Sequence, residues 1–236
     1  MTPRTRSNTI LALLVGASLA TTAQRADAEN PDIEGRVEAV RQSVIESKEK
    51  LKTYEWIETT VVSQKGDQKA RFQNRVYYGA DGAIQKVPIT EETKEGRKRG
   101  PGSRIAKKKK KDLTGYMQKA VDTVKLYVPP DAARMQASWR AGKVSFNLVE
   151  PGKRVRLDFR DYHKSGDVLG IEVDVVNNRI LRLTVNTYIE SAKDAVALSA
   201  EFRTLTDGAS YPAKVVLDAP AENLKVDVSN TGYRKQ

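Results

Sequence analysis

Apolar positions along this chain recur at two periods, and the change of period divides it. From Ile33 to Leu51 the spacing is three and four: Ile33, Val37, Val40 and Val44 form a narrow stripe among Glu, Arg, Lys and Gln. That is the pattern of an amphipathic helix lying on a sheet. Asn30-Pro31-Asp32 gives it a capping side chain and a proline at the first helical position. At Tyr54 the period drops to two, and β-branched residues carry a first strand from Tyr54 to Val62. Lys65-Gly66-Asp67 turns the chain into a second strand through Ala70, Phe72, Asn74, Val76 and Tyr78. Asp81-Gly82 makes another turn before Ile84 to Val87.

Glu91 to Lys111 breaks this order. The segment is polar, punctuated by Gly96, Gly100 and Gly102, and closes on five consecutive lysines. A run of like charge repels itself and has nothing to bury, so residues 91–111 read as a mobile basic loop. Asp112 is placed to cap a second helix with Leu113, Met117, Ala120, Val121 and Val124 on one face, and Pro129-Pro130 stops it. Asp131 to Ala141 predicts a short third helix carrying Met135 and Trp139. From Lys143 onward only alternating runs remain, with Asn177-Asn178 and Asp207-Gly208 at the turns. The fold class is therefore α+β: a curved antiparallel sheet, or an open half-barrel, of about nine or ten strands. Its concave face is covered by the N-terminal helix and the two inserted helices.

The first 28 residues change the picture by adding an address. Arg4 and Arg6, an apolar stretch from Ile10 to Ala20 and Ala26-Asp27-Ala28 have the layout of a cleaved secretory signal. Residues 29–236 are then one domain working in the periplasm or outside the cell. The net charge of +11 adds a second feature, because it is uneven: Lys94 to Lys111 holds ten basic residues against Glu95 alone, and the body of the chain is neutral. The absence of cysteine removes disulfides, thiolate metal sites and a cysteine nucleophile together. His163 is the one histidine, and no nucleophile elbow or acidic calcium loop accompanies it, so neither a cofactor nor a metal is expected.

The order of helix, strands, inserted helices and long meander, with Leu51-Lys52-Thr53-Tyr54 running into the first strand as an edge strand, resembles the periplasmic lipoprotein-carrier and outer-membrane lipoprotein-sorting family. The resemblance covers the opening third as sequence and most of the chain as architecture. It implies an unclosed barrel with helices as a lid, binding acyl chains of lipoproteins or other lipids without catalysis. The long lysine segment departs from that family's short connections.

Two sets of side chains are candidates for binding. Trp56, Phe72, Tyr78, Phe146, Phe159 and Phe202 sit at strand spacing and are candidates to line an apolar cavity for a hydrophobic ligand, though aromatic residues at this spacing more often pack helices onto the sheet. Arg97, Lys98, Arg99, Arg104 and Lys107, Lys108, Lys109, Lys110 and Lys111 form a patch for an anionic surface such as lipid headgroups or lipopolysaccharide. No aromatic residues interleave those lysines, which disfavours nucleic acid. His163 reads as a solvent-facing loop residue. Glu55 and Glu58 point to opposite faces of one strand, which disfavours a catalytic carboxylate pair. The leading expectation is a non-catalytic carrier of acyl chains or lipids. The alternative is an electrostatic adaptor that acts through its basic loop.

Overall fold

The computed structural model describes residues 33–89 and 102–236, with side chains over 39–89 and 112–236. The expected signal sequence, and Arg97, Lys98 and Arg99, lie outside the described residues. Ten strands form one open antiparallel sheet. They are β1 (Tyr54–Gln64), β2 (Asp67–Tyr78), β3 (Ile84–Pro88), β4 (Val144–Glu150), β5 (Arg154–Arg160), β6 (Val168–Asp174), β7 (Arg179–Tyr188), β8 (Ala195–Thr204), β9 (Ser210–Ala219) and β10 (Leu224–Lys235). Three helices accompany them: α1 (Ile33–Leu51), α2 (Gly102–Lys125) and α3 (Ala132–Arg140).

The strand order is β3-β2-β1-β10-β9-β8-β7-β6-β5-β4. From β4 to β10 the chain is a plain meander, and the tight turns carry the residues they need. Asn178 between β6 and β7 has φ 52°, and Lys65-Gly66 between β1 and β2 have φ 54° and 84°. The meander does not include β1. Tyr54, expected to open an edge strand, starts an interior one: β1 pairs with β2 on one side and with β10 on the other. Alternation within a strand fixes which face each residue takes, but it does not say which distant strand supplies the neighbour.

The helices cover one face, called inner here. Its register is continuous: Val144 opposes Phe159, Phe159 opposes Leu169, Leu169 opposes Val185, Val185 opposes Leu198, and Leu198 opposes Leu217. Around Phe159, Leu169, Ile171, Leu183 and Val185 this forms one buried cluster. A second cluster joins Val196, Leu217 and Leu224 to Ala120 and Val124 of α2. α2 lies across β7 and β8, and α3 lies on β5. The outer face carries ion pairs such as Arg154 with Glu172 and Arg182 with Glu201.

Two helical details differ from the sequence pattern. α2 begins at Gly102 rather than at Asp112, so Arg104 and Lys107 to Lys111 belong to a helix and not to a loop. Lysine is a good helix former, and a continuing apolar face downstream outweighs the self-repulsion read from its charge. In α1, Val44 is 44 % exposed whereas Ser47 is 5 % exposed. The helix is held by polar bonds to sheet turns: Ser210 N–H donates to Ser47 Oγ at 3.0 Å, and Lys50 Nζ donates to the Asp207 carbonyl at 2.9 Å. These anchors roll the apolar stripe off the centre of the contact.

Candidate functional site

The aromatic residues singled out by alternation fall into two groups on the inner face. Trp56 is buried on β1 opposite Val76, and Tyr78 lies 6.0 Å from it, centroid to centroid. Three tyrosines complete this group. Tyr233 stacks on Trp56 at 5.3 Å, Tyr211 approaches Tyr233 at 4.3 Å, and Tyr54 meets Tyr233 edge-on. The indole N–H donates to Asn230 Oδ1 at 3.1 Å, and Asn230 donates onward to the Pro212 carbonyl at 2.8 Å. Burial holds the Tyr233 hydroxyl well above the ordinary phenol range. Sequence reading missed this cluster because Tyr233 reaches Trp56 only through the β1–β10 pairing. Phe72, half-buried on β2 opposite Thr60, shares the face but not the stack.

The other group lies towards the β4 edge. Phe159 is buried in the core, and Phe202 packs at the margin of the same cluster. Phe146 opposes Leu157 on β4 and is 57 % exposed, and its neighbour Leu148 opposes Val155 and is 63 % exposed. The inner face thus runs from a packed centre to an open apolar margin at its last strand.

The clefts have different linings from the expected apolar cavity. One of about 420 Å³ lies between α1 and the turns after β6 and β8, lined by Gln42, Ser43, Glu46, Lys50, Asn178 and Arg179 among others. None of the six aromatic candidates lines it. A cleft of about 180 Å³ brings Trp56 together with Glu55, Ile57, Arg75, Gly232 and Arg234. The larger is set in charged and amide surroundings, poor company for an acyl chain, while the smaller mixes Trp56 and Ile57 with its charged residues.

A polar cluster sits beneath the end of α2. Asp167 is fully buried. Its side chain accepts the Tyr127 hydroxyl at 2.5 Å and the backbone N–H groups of His163 and Lys164 at 3.1 and 2.8 Å. Tyr127 also contacts Thr187 Oγ1 at 2.8 Å, and burial followed by the Asp167 bond raises its pKa far above the phenol range. His163, expected to face solvent, is half-buried edge-on to Tyr127, with its Nδ1 buried and unpartnered. Burying Tyr127 draws the adjoining β5–β6 loop inward, and the histidine with it. Lys164 Nζ donates to the Tyr188 and Ile189 carbonyls and sits 4.0 Å from the Tyr188 ring centroid. Apart from His163 Nδ1, these groups satisfy one another within the fold. Among the described residues no cluster of three His, Cys, Asp or Glu is set to hold a metal. Glu55 pairs with Arg75 and Glu58 with Lys86, on opposite faces.

No protein-family model and no curated protein matches the chain. Among solved structures it is similar to a DUF1329 family protein from Desulfovibrio piger, with TM-score 0.44, 11 % identity and coverage of 86 % of this chain and 93 % of that one. It is also similar to a putative outer-membrane lipoprotein-sorting protein domain from Vibrio parahaemolyticus, with TM-score 0.40, 9 % identity and coverage of 85 % and 92 %. A LolA superfamily protein from Nitrosomonas europaea gives TM-score 0.35, 8 % identity and coverage of 84 % and 93 %. All three likenesses combine identities of 8–11 % with TM-scores below 0.5.

Proposed function

We propose that the chain is an exported, non-catalytic binding protein that holds an acyl chain or similar lipid against the inner face of its sheet. One observation carries this reading: Phe146 and Leu148 lie open on the same face whose centre buries Phe159, Leu169 and Leu183. Covering one such side chain contributes about 1.5–3 kcal/mol, so a bound chain gains affinity from surface the fold itself leaves wet. In this reading Phe159 and Trp56 are floor, Phe72, Tyr78 and Phe202 are margin, and Phe146 is the first contact. The ligand occupies an open trough rather than an enclosed cavity.

Native mass spectrometry after mild extraction, with uptake of a fluorescent fatty acid, tests this. Bound mass above the bare chain and saturable uptake are expected, and Phe146→Asp should weaken uptake by about tenfold or more, the equivalent of one lost aromatic burial. A bare mass together with no uptake would sink the reading.

A further inference from the structure

The two edges of the sheet are not alike. β3 exposes Ile84 and Val87, but Lys86 and Pro88 interrupt it, the usual guards against edge-to-edge pairing. β4 runs Val144-Ser145-Phe146-Asn147-Leu148-Val149 before its first charge at Glu150, with no proline and a bulge only at its end, between Leu148 and Glu150, and no described strand pairs with its outer side. Its backbone is aimed outward at its apolar residues. The Lys143 carbonyl accepts from Arg160 N at 2.9 Å, which makes that pair a hydrogen-bonded one. Antiparallel ladders alternate, so Ser145 and Asn147 also bond inward and Val144, Phe146 and Leu148 turn their N–H and C=O groups to the free edge. The two most exposed side chains of the strand therefore stand beside unpaired backbone.

We propose that β4 pairs with β4 of a second copy of this chain, joining two sheets across a twofold axis through Asn147. A twofold interface must be self-complementary, and this strand is. An antiparallel copy centred on Asn147 sets Phe146 against the partner's Leu148 on the inner face, outward backbone against outward backbone. It also sets Val144 opposite the partner's Glu150, with Lys143 one residue further on and still paired to Asp161 of its own chain. Asn147 points to the outer face, where its amide donates to Asp158 at 3.1 Å. Seven paired residues span only about 23 Å, so the contact is small and the association weak and reversible.

Sedimentation velocity of the purified chain up to about 1 mM, a range that reveals weak association, gives the readout. A rise from monomer to dimer mass with concentration is expected. Leu148→Pro removes an outward N–H without touching the β5 ladder. Asn147→Lys sets two like charges face to face at the twofold while Asp158 accommodates each one. Both variants should remain monomeric with unchanged far-ultraviolet circular dichroism, and Val87→Lys on the opposite edge should dimerise as the parent does. Monomer throughout the range, or a dimer that neither variant weakens, would overturn the proposal. Asn147→Lys lies on the outer face, so it separates this contact from the lipid reading: it should abolish dimers and leave fatty-acid uptake intact.

Discussion

One buried polar side chain ties the segment after α2 to the sheet, in addition to the apolar packing of Ala120 and Val124. Asp167 receives three donors, one from the segment after α2 and two from its own loop, and Tyr127 gains Thr187 besides. Asp167→Asn removes the charge and turns an acceptor into a donor facing donors. It should cost about 2–4 kcal/mol, read as a lower urea midpoint at unchanged slope. Asp207 makes a different argument, because its bond is pH-dependent. The Tyr54 hydroxyl donates to it at 2.7 Å, and that bond, with Ala209 N–H and nearby Lys235 and Lys50, holds its carboxyl below the usual range. Folding therefore favours the ionised form. The contribution is complete above about pH 4, the unfolded value, and is lost as pH falls through the depressed folded one. Tyr54→Phe should raise the midpoint of acid unfolding, and the stability gap between parent and variant should close at the lowest pH. A gap that stays constant from pH 7 to the acid limit would contradict this assignment.

At the scale of elements, α2 carries a mismatch in its first turn. It opens with Arg104 and no acidic residue, while the N-terminus of a helix favours negative charge. Arg104→Glu should stabilise the protein by about 0.3–1 kcal/mol at low ionic strength, with the gain fading as salt is added. Thermal unfolding at two salt concentrations measures it. The same helix shows where sequence reading reached its limit. Leu113, Met117, Ala120 and Val124 announced the packed turns because each has a partner in the core. Only Ile105 and Ala106 are apolar in the turns before Asp112, too few to set a period, and a lysine run looks alike in a coil and at the start of a helix. Strands were plainer: each alternating run became a strand, and Asn178 took the positive φ its turn asked for. Asp167 was hidden for the opposite reason. A polar residue in a loop gives no sign in sequence that a tyrosine 40 positions away will bury it.

Across the whole molecule the decisive joint is β1 against β10. Trp56 and Asn230, bonded side chain to side chain, are 174 positions apart, and no local pattern in either strand names the other. That pairing gathers Trp56, Tyr211 and Tyr233 into one stack and attaches the β1–β2–β3 wing to the meander. Truncation after Glu222 removes β10 and should leave a chain without fixed aromatic packing: near-ultraviolet circular dichroism lost and a hydrophobic dye bound, with much of the far-ultraviolet signal kept. A truncated chain with native near-ultraviolet signal would show that the wing docks without its last strand. The same joint dictates a timetable. The opening hairpin must wait, its indole uncovered, until synthesis has delivered β10. Through that interval its exposed strands are prone to stick to their neighbours. The rate at which β10 docks on β1 thus sets how long that hairpin stays exposed.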